Sequence, residues 1–401
     1  MAGGDMFGTD LPWLDLADPA FSTRGPEVIA AREAHWCART PYGLAVLRYA
    51  QVGRILRDRR FRQGSHNWPD IVGIRGPFAE FWRNSVIARE GEAHRRLRAL
   101  AVPALSDDYV LSLKPAFDAI ARDLCAKLRE SDTCEFQSAF ASPFAGQAIT
   151  TLLGMPRERW AEVAEDAWAL GLAMGVEARR FEARFNAACE RLFALADRLV
   201  ARVRRGEDGR SYVARLVAEF DRNGDCSFEE LLNTIVISIF GGVDTTRALL
   251  GLGLSLFIEN PGEWQKLRAD AGLIPAAVEE FIRARPTTTW ATREALEDAE
   301  IDGLHIPRGT VLHLLVHASA RDPAICDDPR FDISAPRKRH FGFGGGAHHC
   351  IGHFVARTDI GCALAALRET FRTVAYDGAP EWLPDSGNTG PLRLPIRYEV
   401  A

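Results

Sequence analysis

The sequence predicts a mainly α fold, a helical body with small β-sheets beside it, and three observations carry that prediction. From about residue 111 to 257 the chain is dominated by helical apolar periodicity, broken only by short polar loops at 206–210 and 222–226. Short β-like runs stand outside this body at 43–48, 300–306, 310–315 and 392–398, each flanked by Gly, Pro or Asp. With 47% hydrophobic and 26% charged residues over 401 positions, the chain has apolar surface for a large core and none of the composition of a disordered protein. No repeat, low-complexity linker or composition break divides it, so a single domain over 1–401 is expected.

The longest predicted helix covers about 228–257, and its start carries a capping box, Ser227 followed three residues later by Glu230. A membrane span needs roughly 20 predominantly apolar residues, but Asp244, Thr245, Thr246 and Arg247 interrupt this run near its centre. A central buried helix with a polar break accounts for it better. The Gly241-Gly242 pair just before the break points to close approach of a ligand or to a distorted turn. Upstream, Asp221, Asn223 and Asp225 alternate like a calcium loop, but the required glycine is displaced to Gly224 and Leu232 stands where the closing Glu belongs.

Bulk properties exclude several classes. The formal net charge of −5 gives no support for general nucleic-acid binding. Residues 1–12 are Gly-rich with Asp5 and Asp10, unlike a signal peptide, so a cytoplasmic protein without a membrane anchor is expected. The eight cysteines are scattered with no Cys-x-x-Cys pair, which reads as reduced, mostly buried thiols.

The chemistry concentrates in His340-Phe-Gly-Phe-Gly-Gly-Gly-Ala-His-His-Cys-Ile-Gly352, followed by a helical pattern with Phe354, Val355, Ile360, Leu364 and Leu367 on its apolar side. A glycine-rich loop here presents one cysteine at a helix start, where backbone N–H groups and the helix dipole favour thiolate, the form that ligates metal. Haem iron accepts such a ligand. A nucleotide-binding loop is disfavoured because Gly342, Gly344, Gly345 and Gly346 lack the spacing and βαβ context it requires. Zinc is disfavoured because His348, His349, Cys350 and His353 fall within six residues and cannot easily surround a tetrahedral ion. On this segment alone a buried structural thiol stays open.

Other residues carry two readings each. His94 and Arg98, four apart on one helical face, suit a grip on a carboxylate, yet exposed basic pairs are ordinary. Asp244 and Thr245 sit in an apolar helix, where a charge is costly unless it is paired or works in a site; a satisfied helix kink is the alternative. Glu280 and Arg283 have the spacing of a helical ion pair.

Phe343-Gly344-x-Gly346-x-His348-x-Cys350-x-Gly352 resembles the haem-binding signature of the cytochrome P-450 family, whose cysteine is the proximal iron ligand. Further segments follow in the family's order. Gly241-Gly242-Val243-Asp244-Thr245-Thr246 resembles its oxygen-activation motif and Glu280-Phe-Ile-Arg283 its Glu-x-x-Arg pair. Gly303 to Gly309 with Arg321-Asp322-Pro323 is similar to the strands and loop that come next, and His94, Arg98, Arg293 and His340 match groups that hold the haem propionates in bacterial members. The resemblance spans nearly the whole chain and implies the cytochrome P-450 fold of a bacterial, soluble, class I member, a helical body around a buried haem b.

It further implies that Cys350 ligates the iron, that Phe343, Gly344, Gly346, His348 and Gly352 belong to the haem site, and that Asp244 and Thr245 deliver protons to dioxygen. Glu280 and Arg283 become a structural pair. The implied reaction is a monooxygenation of a small organic substrate, fed by a ferredoxin and its NAD(P)H-dependent reductase, because no flavin or iron–sulfur segment is visible. A basic face for such a partner is expected from Arg95, Arg96, Arg337, Lys338, Arg339 and Arg357. By position Gly241, Thr288, Thr289 and Trp290 line the substrate pocket, and 61–82, with Trp68, Ile71, Phe78 and Phe81, forms its lid or else ordinary core. An apolar or aromatic natural-product intermediate fits such a pocket. Two alternatives stay open: another oxidative chemistry on the same haem, such as coupling, nitration or peroxygenation, or a non-catalytic haem protein.

Two places depart from the family pattern. Ala335 stands where an arginine usually completes the Glu-x-x-Arg network, leaving Arg330, Arg337 or Arg339 to substitute, and Asp359 stands where a Glu is usual.

Overall fold

The computed structural model describes residues 10–385 and 387–401, with fifteen α-helices and twelve strands among them. Its axis is the helix Phe228–Glu259. Both halves of the capping box form: the Glu230 N–H donates to Ser227 Oγ at 3.2 Å, and the Ser227 N–H donates to Glu230 Oε2 at 2.8 Å. The helix runs unbroken through Gly241-Gly242, so of the two readings of that pair the distorted turn is not what forms. It is long and apolar enough to cross a membrane, but most of its residues are buried within the fold, the pattern of a core helix.

Two large apolar clusters pack on this helix. Leu231, Ile235, Val236, Ile239, Phe240 and Val243 belong to the first, and Leu249, Leu250, Leu254, Leu256 and Phe257 to the second. Residues 244–248 join neither cluster. The polar break in the sequence is therefore a seam between two cores. The second helix that matters, His353–Thr370, starts at the same seam: Ile351 and Val355 pack against the first cluster and Phe343 against the second.

Beside the helices lies a five-stranded sheet in the order Cys37–Thr40, Gly43–Val46, Val311–Leu315, Trp290–Ala295, Phe61–Gln63. Gly43–Val46 runs parallel to Val311–Leu315 and the other pairings are antiparallel. Gly43 is required there, because its φ is 128° and a Cβ would meet the Val311 carbonyl oxygen at 2.2 Å. The expected runs at 300–306 and 392–398 form the hairpin Ala299–Ile301/Leu304–Ile306 and the strands Pro391–Arg393 and Pro395–Val400. Three strands of the main sheet, Cys37–Thr40, Trp290–Ala295 and Phe61–Gln63, lie outside the sequence expectation. Of the 61–82 segment, Phe78, Phe81 and Trp82 pack into the first cluster as core, Trp68 donates from Nε1 to the Ala173 carbonyl at 2.8 Å, and Ile71 is exposed.

A buried ion network ties the long helix's neighbours together. Arg283 grips Glu280 with two hydrogen bonds of 2.6 Å, and the same Glu280 Oε1 accepts from the Asp332 N–H at 3.1 Å. The third member is Arg337, whose Nη2 donates to Glu280 Oε1 at 3.2 Å; it replaces the arginine absent at Ala335. Arg330 instead turns to the exposed Asp328. Removing one partner from a buried charge leaves that charge undercompensated, so Arg337→Ala is expected to lower the unfolding free energy by about 1–3 kcal/mol. Arg330→Ala should leave the denaturant midpoint unchanged. Equal shifts of the two variants in urea unfolding would remove Arg337 from the network.

Candidate functional site

The Cys350 loop is shaped by its glycines. Gly344 and Gly346 have φ of 67° and 66°, and a Cβ on Gly346 would meet the Leu56 carbonyl oxygen at 2.2 Å, so this turn admits glycine alone. The Cys350 N–H donates to the Phe343 carbonyl at 2.9 Å and the Gly344 N–H to the Phe341 carbonyl at 2.8 Å, which closes the loop on itself. Cys350 is half-buried just ahead of the helix cap Gly352. Burial pushes its thiol up, while the Gly352 N–H and the charges of Arg98 and Arg357 pull it down. A bound metal cation would complete its ionisation. Arg357 lies over the Phe343 ring at 4.4 Å.

Beside the loop stands a cluster of bases with too few acids. His94 is stacked on His348 with ring centroids 3.9 Å apart, and its buried Nε2 has no hydrogen-bond partner. Burial, then the charges of His348 and Arg98, hold His94 down to about 4, so it is neutral at pH 7. Arg98 donates from Nη1 to the His349 carbonyl at 2.9 Å. Arg293, 3% exposed, donates only to the Thr292 carbonyl, at 2.9 Å, and burial lowers it to about 10. A buried guanidinium without a carboxylate calls for an anion from elsewhere.

One acid enters that the sequence reading missed. Glu90 precedes the helix Gly91–Ala104, the position of an ordinary cap, yet its carboxylate accepts from His348 Nε2 at 2.9 Å and from the Gln63 N–H. Burial raises it, but these hydrogen bonds and the nearby histidines prevail and hold it at about 2. His340, by contrast, stands apart from this cluster. Its Nε2 donates to Glu279 Oε2 at 3.1 Å, and Glu279 also accepts from Arg357 at 2.6 Å. The structure thus brings His94, Arg98, Arg293 and His348 together and leaves His340 with Glu279.

On the long helix, Gly241 is exposed amid buried neighbours, and a Cβ there would meet nothing within 4 Å. Thr245, half-buried one turn on, donates its hydroxyl to the Gly241 carbonyl. Asp244 points the other way and is buried, 5% exposed. Burial pushes its carboxyl up against the opposing pull of Arg247, 3.9 Å away, and of Asn388, whose Nδ2 donates to Asp244 Oδ2 at 3.2 Å. Thr288 donates to Asn388 Oδ1 at 3.2 Å and Thr289 to the Gly387 carbonyl at 3.0 Å. Trp290 packs edge-on against His313 in a separate apolar cluster, away from Gly241. Four of the six basic residues of the expected docking face are neutralised: Arg95 by Glu92, Arg96 by Glu230, Arg337 by Glu280 and Arg357 by Glu279.

These features fit a haem. An open space at Gly241, a half-buried thiol on a glycine turn at the same seam, and an orphaned His94 Nε2 beside the unpaired Arg293 match a macrocycle with two carboxylate arms and an iron that needs an anionic ligand. Comparison with known proteins agrees. The family model described as Cytochrome P450 matches residues 177–401. Luteothin monooxygenase of Streptomyces thioluteus is 34% identical over 98% of this chain and 97% of its own length.

The chain belongs to the cytochrome P450 family. It is an oxidoreductase, a haem-thiolate monooxygenase that binds haem b and works on an organic substrate with O2 and redox partners. The 20-oxo-5-O-mycaminosyltylactone 23-monooxygenase of Streptomyces fradiae is 31% identical over 78% of this chain and 74% of its own. The structure of CYP105P1 in complex with filipin I superposes with a TM-score of 0.85 at 26% identity, covering 98% of this chain and all of that one. The P450 fold, mainly helical with small sheets, is the one described above.

Asp359 ties the thiolate helix to the long helix and has a titration of its own. It accepts from Thr246 Oγ1 at 3.4 Å, and burial pushes its carboxyl up to about 8. The folded chain therefore keeps a proton that the unfolded chain releases near its ordinary value of about 4. Stability should fall as pH rises from about 4 to about 8 and level off above. Asp359→Asn, neutral throughout, should flatten that part of the profile in denaturant unfolding at successive pH values, and a variant profile parallel to wild type would show Asp359 ionised in the fold.

Proposed function

We propose that Cys350 provides the thiolate ligand of the haem iron, that His94, Arg98, Arg293 and His348 hold the propionates, and that Thr245 and Asp244 handle the protons of oxygen activation. The observation that carries this reading is the seam. The Asp244–Thr245 segment and the Cys350 loop both sit where the two apolar clusters part, and the buried Arg293, with no carboxylate bonded to it among the described residues, stands with the half-buried Arg98 in the cluster beside the loop. When bound, the haem supplies the reductive cleavage of O2 and transfer of one oxygen atom to substrate, the other leaving as water.

The chain's own residues do the rest. The Gly352 N–H and the charges of Arg98 and Arg357 favour the anionic form of the Cys350 sulfur. His94, being neutral, donates a hydrogen bond where Arg98 and Arg293 supply charge. The Thr245 hydroxyl, now donated to the Gly241 carbonyl, is free to accept from a water, and the raised Asp244 carboxyl can hold a proton and release it at Oδ1, the oxygen that Asn388 leaves free. Gly241, Thr288 and Thr289 line the substrate side in this reading, and the 1–401 chain acts as one domain.

An intermediate of bacterial secondary metabolism is the substrate class that the relatives' names support. Electrons come from a ferredoxin and its NAD(P)H-dependent reductase in the cytoplasm, steered chiefly by Lys338 and Arg339, which form no ion pair among the described residues.

The test is the absorption difference spectrum of the dithionite-reduced purified protein with and without CO, on wild type, Cys350→Ala and Cys350→His. A long-wavelength thiolate-type Soret band in wild type alone, with a histidine-type band in C350H, is the expected result. A histidine-type band in all three, or no haem in wild type, would overturn the assignment.

A further inference from the structure

We propose that Asn388 is a positioning residue: its amide holds the Asp244 carboxylate and ties its orientation to Thr288. The inference rests on the reading of Asp244 as the group that moves protons. Among the described residues, Asn388 Nδ2 is the only side-chain hydrogen-bond donor to Asp244, at 3.2 Å from Oδ2. Arg247 does not take that place. Its Nη2 is 3.9 Å from Oδ1, beyond hydrogen-bond reach, and its Nη1 is engaged by Gln137 Oε1 at 3.1 Å and the Pro391 carbonyl at 3.3 Å. Gly171 also packs against the carboxylate, so closely that a Cβ there would stand 2.7 Å from it.

The Asn388 amide is itself held in place. Its Oδ1 accepts from Thr288 Oγ1 at 3.2 Å, which sets the oxygen towards Thr288 and the NH2 towards Asp244. The backbones of Thr288 and Asn388 pair in an antiparallel bridge. The neighbouring Gly387, at φ 61°, lies so close to Met174 that a Cβ would meet its carbonyl oxygen at 2.0 Å, and its own carbonyl accepts from the Thr289 N–H at 2.8 Å. The chemistry suits the task. A neutral amide satisfies one carboxylate oxygen without supplying a positive charge, so the group is oriented yet still able to take up and release a proton; a guanidinium in contact would hold it ionised. Through Thr288, the same amide passes any displacement on the substrate side to the proton-handling carboxylate.

The experiment compares holoenzyme wild type, Asn388→Ala, Asn388→Asp and Asp244→Asn. Two quantities are read: the C–O stretching frequency of the CO-ligated ferrous protein, and the rate at which dithionite-reduced protein is reoxidised by dissolved O2 in H2O and D2O. Loss of one hydrogen bond should change the reoxidation rate roughly three- to tenfold and alter its solvent isotope effect in both Asn388 variants. N388D should change most, because it keeps the shape but exchanges the donor for a second carboxylate. If N388D behaves as wild type while N388A does not, packing is the role and the proposal fails. If both Asn388 variants behave as wild type while D244N does not, Asn388 is excluded and the Asp244 reading stands. If D244N itself changes neither quantity, that reading fails and takes this proposal with it.

Discussion

One helix has to cross two hydrophobic cores, and the rest of the molecule is arranged around what happens between them. Along Phe228–Glu259 the apolar surface is nearly continuous, so burial alone would make the helix uniform. Where the clusters part, residues 244–248 contribute to neither, and this short stretch carries an acid, two hydroxyls and a guanidinium. Buried polar groups of that kind need partners, and three of the four find one on another element, Asn388 for Asp244, Asp359 for Thr246 and Gln137 for Arg247, while Thr245 turns to the Gly241 carbonyl of its own helix. The seam therefore dictates which loops must come close, and the Cys350 turn arrives at the same place because Ile351 and Phe343 anchor it on opposite cores.

Charge is unevenly distributed around that seam, and the imbalance is informative. Glu280 serves two guanidiniums and Glu279 one guanidinium and the His340 ring, and those groups are satisfied within the protein. Around His94 and Arg293 the reverse holds: two histidines and two arginines share the single carboxylate of Glu90, and that carboxylate is taken by His348 and the Gln63 N–H. This corner is short of negative charge among the described residues. A group with two carboxylate arms, as haem b has, fits that shortage.

How much of this was legible beforehand follows the range of the interactions. The capping box, the length of the central helix and the glycine turn before Cys350 depend on neighbours a few residues apart, and the sequence pattern shows them. Glu90 to His348, Asp244 to Asn388 and Glu280 to Arg337 join residues 258, 144 and 57 positions apart, and no local pattern marks either end. Glu90 looks like a helix cap and Asn388 like a turn residue. The strands Trp290–Ala295 and Phe61–Gln63 were hidden for a related reason. Arg293 and Gln63 interrupt their apolar alternation by facing inward, so the residues that matter to the site erase the signal of the strand that holds them.

The relocation from Ala335 to Arg337 shows what such networks constrain. Glu280 is buried and bound by Arg283 on two sides, yet Oε1 retains capacity for another donor, and the loop N–H of Asp332 does not supply the second positive charge. What must be conserved is a cation at that oxygen, reached from a loop with freedom to approach; which residue of the loop delivers it is secondary. Arg337 reaches in while also donating to the Arg330 carbonyl at 2.6 Å, so the substitution fixes the loop's path as it completes the ion network. The same argument separates the two kinds of basic residue near the thiolate. Arg337 and Arg357 are spent on Glu280 and Glu279 and hold the fold, whereas Lys338 and Arg339, adjacent in the same loop, are exposed and form no ion pair among the described residues.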